Sequence, residues 1–264
     1  MEEFLQKNRA AYDLRVLEGE RHTRTVLARD LKNPLPIIDP ENWLEGNVQG
    51  KPILCLASGG GLQSALLAAA GAIVTVLDIS GEMLRLDREI AAEHHLQLQT
   101  IQGTMEDLSM FGSGSFQVVL QPVSSCYIPQ LHRLHAEVAR ILEPKGIYIS
   151  QHKQPASLQG DALPHPGAGG YLVRTLYNHA GALPQTSPCL HREWEMVEFL
   201  HPWETLIGGL CRAGFVVEDL VEPQQKVGDA NFLERSRYLP PYVKIKARRT
   251  EKNPAMPSVI WTPS

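Results

Sequence analysis

The stretch KPILCLASGGGLQSALLAAAGAIVTVLDIS, residues 51–80, constrains the fold more than any other part of the chain. An apolar run, Ile53 to Leu56, enters three consecutive glycines, Gly59, Gly60 and Gly61. A helix of small residues, Gln63 to Ala70, follows and stops at Gly71. A second β-rich run, Ile73 to Leu77, then delivers a single acid, Asp78. Strand, glycine turn, helix, strand and acid in this order make one βαβ half of a nucleotide-binding sheet. Glycines let the backbone turn sharply and lie close to a ligand. The helix start presents unpaired N–H groups to an electronegative atom, and an acid at the second strand tip accepts from ribose hydroxyls.

Glycine spacing separates the possible nucleotides. A dinucleotide turn is G-x-G-x-x-G, and counting from Gly59 its third glycine is replaced by Ser64. Counting from two residues earlier, Ala57-Ser58-Gly59-Gly60-Gly61 has the form small-x-G-x-G. It resembles motif I of the class I S-adenosylmethionine (SAM) methyltransferases. It departs from that motif at Cys55, where an acid is common, and at Ala57, where glycine is common. The resemblance implies SAM as cofactor, with Ala57, Ser58, Gly59 and Gly61 in the turn and Asp78 on the ribose, followed by Ile79 and Met83. It also implies an adenine wall from Thr104, Met105 and Glu106, and a contact from Gln121 after the fourth strand. Thr104 stands where Asp is common, and Gln117 where an acid follows the aromatic.

The remaining elements fall in the same order. Ser80 N-caps a helix over residues 81–93, with Glu82 in its first turn. Residues 96–102 alternate as a third strand, and 116–120 form a fourth. Of Glu106 and Asp107, one is expected at the adenine edge and the other as a cap before Leu108. A helix over 128–142 and the turn Pro144-Lys145-Gly146 lead to a fifth strand, 147–151, expected to end at Gln151. Asn8 to Tyr12 resembles the entry helix that covers the cofactor in small-molecule methyltransferases, and 199–215 resembles their last helix. Residues 216–221 and 242–247 complete seven strands. The fold class implied is α/β, a Rossmann-like doubly wound sheet in order 3-2-1-4-5-7-6, strand seven antiparallel, with helices on both faces. One domain, 1–250, is expected: a helical cap (1–50), a core (51–154), a lid-like insertion (155–195), and a final helix and hairpin (196–250), with 251–264 as a tail. The insertion is rich in proline and carries Gly167-Ala168-Gly169-Gly170. Its last part, 192–200, alternates like an extra edge strand.

Bulk properties narrow the partners. Twenty-five basic residues against 29 acidic give a formal charge of −4, with no concentrated basic patch for nucleic acid. No apolar run reaches a membrane span and the first residues are charged, so a cytoplasmic location is expected. Cysteines 55, 126, 189 and 211 have no C-x-x-C pairing; Cys55 and Cys211 read as free thiols, and a nucleophile at Cys126 has no evident partner. His132 and His135 share a helix face but have no acid or cysteine partner, so no metal is expected. The Leu56-Ala57-Ser58-Gly59-Gly60 turn lacks the G-x-S-x-G pattern of a hydrolase.

Methyl transfer from a sulfonium is a displacement that alignment alone can promote, with a base where the acceptor carries a proton. Histidine suits that role near neutral pH. His152 and Lys153 follow strand five, His201 opens the expected last helix, and His191 precedes the alternating segment. His152 and His201 are the candidate bases, with His152 expected at the pocket mouth. Tyr127 and Tyr171 read as half-buried tyrosines first and as walls of an aromatic pocket second. The acidic chain with its own cover fits a small-molecule acceptor. Two rivals stand beside this: an NAD(P)-dependent oxidoreductase, disfavoured by Ser64, and a non-catalytic SAM-binding protein.

Overall fold

The computed structural model describes residues 2–19, 26–167, 169–186, 189–193 and 195–251; the expected tail from Lys252 onward lies outside them. Four parallel strands lie at the front of the sheet: β1 (Pro52–Leu56), β2 (Ile73–Asp78), β3 (Leu98–Gln102) and β4 (Phe116–Gln121). β5 (Leu142–Lys153) extends them in parallel. β6 (Phe215–Val221) and β7 (Tyr242–Arg249) close the far side, β7 running antiparallel to both β5 and β6. The order is β3-β2-β1-β4-β5-β7-β6, as the resemblance implies.

Strands covered on both faces need no polar alternation. Ile53 to Leu56 and Val74 to Leu77 are accordingly buried throughout, apart from the small exposure of Thr75. One core layer holds Leu54, Leu56, Leu77 and Tyr148 beneath α5 (Leu131–Ile141). The other holds Ile53, Cys55, Val74 and Val76, with Leu67 from α3 (Gln63–Ala69) and Leu84 from α4 (Gly81–Glu93). Ser80 caps α4 as expected, its hydroxyl accepting from Met83 N at 3.0 Å.

α1 (Glu3–Glu18) lies across the C-terminal edge of the strands. At one end Asp13 accepts from the Ser80 hydroxyl at 2.5 Å. On its other side Asn8 pairs with both backbone groups of Val197, at 2.7 and 3.0 Å. A short helix α2 (Leu35–Ile38) packs on α3.

Three expectations differ from what folds. The described residues of 192–200 form no strand, and the bridges among them are isolated, Ala182 to Phe199 and Cys189 to Arg192. Their backbone groups are taken elsewhere: Val197 by Asn8, Phe199 N by Cys126 O at 2.6 Å, and Glu198 O by Leu183 N at 2.7 Å. The last helix is shorter than 199–215. It opens on the Pro202 carbonyl, which accepts from Thr205 and Leu206, widens to a π-turn over Glu204–Gly208, and continues as α7 (Gly209–Arg212). β5 runs two residues past Gln151, because His152 and Lys153 pair with Val243 and Tyr242.

The insertion begins with α6 (Pro155–Gln159) and is tied down from α8 (Ala230–Ser236). Arg235, almost fully buried, donates to the carbonyls of Ser157, Asp161 and Gly160 at 2.6, 2.9 and 3.1 Å. These carbonyls would otherwise be orphaned away from water.

Candidate cofactor and acceptor site

A cavity of about 470 Å³ opens along the C-terminal edge of the sheet, where open α/β sheets take their ligands. Its wall follows the strand order. Thr104 and Met105 come after β3, Asp78 and Ile79 from the end of β2, Ala57 to Gly60 after β1, and Pro122 to Ser124 after β4. Gln151 of β5 and Tyr242 of β7 reach the far end, and Leu5, Asn8 and Tyr12 of α1 form the roof.

The turn after β1 is built around left-handed backbone. Gly60 and Gly61 have φ of +112° and +76°, which side chains rarely adopt. Ala57, which stands in place of the motif glycine, also sits at +48°. Gly59 is required for space instead. A Cβ there would lie 2.7 Å from Met83 Cβ and 3.1 Å from the Asp78 carboxylate.

Two acids hold this turn. Asp78 accepts from Gly59 N through Oδ2 at 2.8 Å and from Ser80 N through Oδ1 at 2.9 Å. Each oxygen keeps acceptor capacity for a ribose hydroxyl in the cavity it lines. Burial raises the Asp78 pKa, against the lowering effect of those backbone donors. Asp87 of α4 supports the turn from below. It accepts from Gly60 N at 2.9 Å, from Gly61 N at 3.1 Å and from the Ser64 hydroxyl. Ser64 therefore supplies a hydrogen bond where a dinucleotide turn would carry glycine.

Of the residues expected to bind the cofactor, Ala57, Ser58, Gly59, Asp78, Ile79, Met83, Thr104 and Met105 are brought together on this wall. Gly61, Glu106 and Gln121 do not line it. Gly61 is turned to Asp87. Glu106 follows an ST-turn in which the Thr104 hydroxyl accepts from Glu106 N at 3.2 Å. Gln121 lies one layer down, its amide donating to Ser124 Oγ at 2.8 Å and accepting from the Tyr148 hydroxyl. Cys55 is buried in the core layer beneath α3 and α4 and supplies no polar contact to the wall.

The pocket-mouth position expected for His152 is not found. Its ring is fully buried, with Nδ1 2.7 Å from Ser125 Oγ and Nε2 2.8 Å from Ser150 Oγ. Burial, and then His135 and His201, push its pKa down to about 3. His201 precedes the last helix instead of opening it, and its Nε2–H donates to the carbonyls of Ser125 and Ile128, both at 3.0 Å. Both imidazoles therefore brace the loop after β4, and neither lines the cavity.

At the far end Tyr127, read from the sequence as a possible pocket wall, lines the cavity beside Glu193, which the sequence reading passed over. Tyr127 donates to Glu193 Oε1 at 2.5 Å, and Arg15 holds the other carboxylate oxygen at 2.5 Å. Lys153 lies 3.6 Å from Glu193 and pairs with buried Glu198, which Arg192 also binds at 2.8 Å. Asp87 had a sequence signal, an acid four residues after Met83 on an apolar helix face. Glu193 had none, being one acid in an alternating run. Among the described residues no three His, Cys, Asp or Glu side chains are grouped to hold a metal ion.

Comparison with known proteins agrees with the geometry. A family profile described as "Methyltransferase domain" matches residues 54–150. The chain is 33% identical over 238 residues to the uncharacterized methyltransferase YbaJ of Bacillus subtilis, covering 84% of this chain and 91% of that one. A ubiquinone biosynthesis O-methyltransferase of Vibrio campbellii is 32% identical over 99 residues, 38% of this chain and 42% of its own. Among solved structures, an S-adenosylmethionine dependent methyltransferase from Mesorhizobium loti superposes with a TM-score of 0.65 at 21% identity, covering 83% of this chain and all of that one. The geranyl diphosphate C-methyltransferase of Streptomyces coelicolor superposes at 0.63 with 14% identity, covering 94% and 99%. The oxidoreductase and non-catalytic readings fall away: this chain belongs to the class I SAM-dependent methyltransferases, with SAM as its methyl donor.

Proposed function

We propose that the chain transfers the methyl group of SAM to a small-molecule acceptor by direct displacement. The observation that carries this reading is the extent of the cavity. The residues that fit a nucleoside, Asp78, Ile79, Thr104 and Met105, occupy only the β2–β3 end. The same cavity continues past β1 to Tyr127, Gln151, Glu193 and Tyr242, roofed by α1. SAM supplies an electrophilic methyl carbon activated by its sulfonium. The chain supplies alignment: Asp78 holds the ribose, Gly59 leaves room for close backbone approach, and the loop after β4 and the roof position the acceptor.

The roof is joined to the insertion at Glu193 and to the segment just after it at Val197, which supports a lid role for residues 155–195. Names among the relatives include an O-methyltransferase and a C-methyltransferase, so the acceptor atom is decided by the side chains at the far end. Incubation with methyl-labelled SAM and separate pools of metabolites, protein and nucleic acid tests the reading. Label is expected in the metabolite pool; label confined to protein or nucleic acid would contradict it.

A further inference from the structure

The far end of the cavity carries a chain of hydroxyls that ends on a carboxylate. An ionised carboxylate only accepts, so Tyr127 must be the donor to Glu193 at 2.5 Å. With that proton committed, the 3.2 Å contact between the Tyr12 and Tyr127 hydroxyls runs one way, from Tyr12 to Tyr127. The Tyr12 oxygen retains acceptor capacity, and all three residues line the cavity. Burial works to raise the Glu193 pKa, but Lys153, the Tyr127 hydrogen bond and Arg15 outweigh it and hold the group below the ordinary glutamate range. Glu193 is thus ionised at neutral pH and is a weak base. The histidines are excluded from this task by their positions, since His152 and His201 are both bonded away from the cavity.

We propose that Tyr12, Tyr127 and Glu193 form a proton relay for the methyl acceptor, and that this acceptor is a phenolic hydroxyl. The proposal rests on the reading that the far end of the cavity takes the acceptor. The acceptor O–H donates to the Tyr12 oxygen. As the new O–CH₃ bond forms and the C–S bond breaks, with its electron pair going to sulfur, the acceptor proton moves to Tyr12. The Tyr12 proton moves to Tyr127, and the Tyr127 proton to Glu193. One neutral phenol, one sulfonium and one carboxylate give a methyl ether, a thioether and a neutral carboxylic acid, so charge balances. Tyr12 is the catalytic residue because it touches the acceptor; Tyr127 and Glu193 act through it.

Two observations select a phenol. A weak terminal base favours an acidic O–H, and a phenol, with a pKa near 10, is far more acidic than an alcohol before transfer begins. The walls around the relay are aromatic as well. The rings of Tyr12 and Tyr127 meet edge to face at 6.0 Å, and Tyr242 lines the same end, which suits an aryl ring.

The test uses two acceptors, phenol and 4-nitrophenol, the latter ionised above neutral pH and so without a proton to move. SAM affinity by calorimetry and melting temperature are measured for the wild type, Tyr12→Phe, Tyr127→Phe and Glu193→Gln, followed by transfer from labelled SAM. The relay predicts SAM affinity within about twofold in every variant. Transfer to phenol should fall about a hundredfold, while transfer to 4-nitrophenolate should fall by less than about tenfold. If Glu193→Gln melts early, Tyr12→Phe, which removes one hydroxyl, decides. Equal losses on both acceptors, or no loss on either, would overturn the relay. A wild type that binds SAM but methylates neither phenol would overturn the acceptor class. A wild type that does not bind SAM would instead overturn the reading on which the relay rests.

Discussion

Ala57 shows how a departure from a motif becomes a measurable strain. At φ +48° it occupies the left-handed region that costs an ordinary residue roughly 1–2 kcal/mol. Ala57→Gly removes the Cβ at a position whose backbone already suits glycine. It should stabilise the fold by up to about 1 kcal/mol after glycine's extra unfolded-state entropy is counted, read from urea unfolding midpoints. Unchanged or lowered stability would mean the turn relaxes in solution. Asp87 gives a pH signature at the same turn. Burial raises its pKa from 3.8 to about 6, with the hydrogen bonds from Ser64, Gly60 and Gly61 opposing. An acid raised in the folded state stabilises through its protonated form. That contribution is complete below about pH 4 and is lost as the pH rises through about 6. Two pH units correspond to roughly 2–3 kcal/mol. Wild-type stability relative to Asp87→Asn should therefore fall by about that amount between pH 4 and 7, in paired denaturation curves. A flat difference would contradict the burial assigned to Asp87.

Among elements, α1 and the segment around Val197 close the cavity on its roof side. Asn8 acts as a strand edge in miniature, satisfying the part-buried N–H and carbonyl of Val197 together. Phe4 packs edge to face on Phe199 at 5.5 Å, next to it. Asn8→Ala removes the partner of both part-buried backbone groups, at about 1 kcal/mol per group. Hydrogen exchange of α1 and of residues 195–199 should accelerate together, and SAM should dissociate faster. Exchange that changes in only one of the two segments would show that they open independently. The βαβ unit and the first strands were legible in the sequence because hydrophobic period and glycine position are local, whereas the entry helix and the last two strands came from the family resemblance. The path of residues 192–200 was not. Alternation there suggested a strand, but strand formation needs a free sheet edge, and those backbone groups were taken by Asn8, Cys126 and Leu183.

For the whole molecule, the residues proposed to hold the cofactor were readable and those proposed around the acceptor were not, and the reason is physical. Binding a nucleoside needs backbone geometry and one acid at fixed spacing, which a linear motif records. Asp78, Gly59 and Thr104 converge as that motif implies. The far end is assembled from α1, the loop after β4, the insertion and β7, which are distant in sequence: Tyr12 is 115 positions from Tyr127, and Tyr127 is 66 from Glu193. His152 and His201 were candidates by residue type and position alone, and the fold buries both behind the loop they support. No helix among the described residues is long and apolar enough to cross a membrane.

The central claim is that Asp78 and the glycine turn hold SAM at the β1–β2 end of the sheet. Calorimetric titration of SAM into the wild type and Asp78→Ala tests it most directly. The wild type should bind one SAM per chain, and the variant should bind about ten- to a hundredfold more weakly, as expected for loss of a charged acceptor worth about 1.5–3 kcal/mol. Equal SAM affinity in wild type and a folded Asp78→Ala would place the cofactor elsewhere and contradict the account.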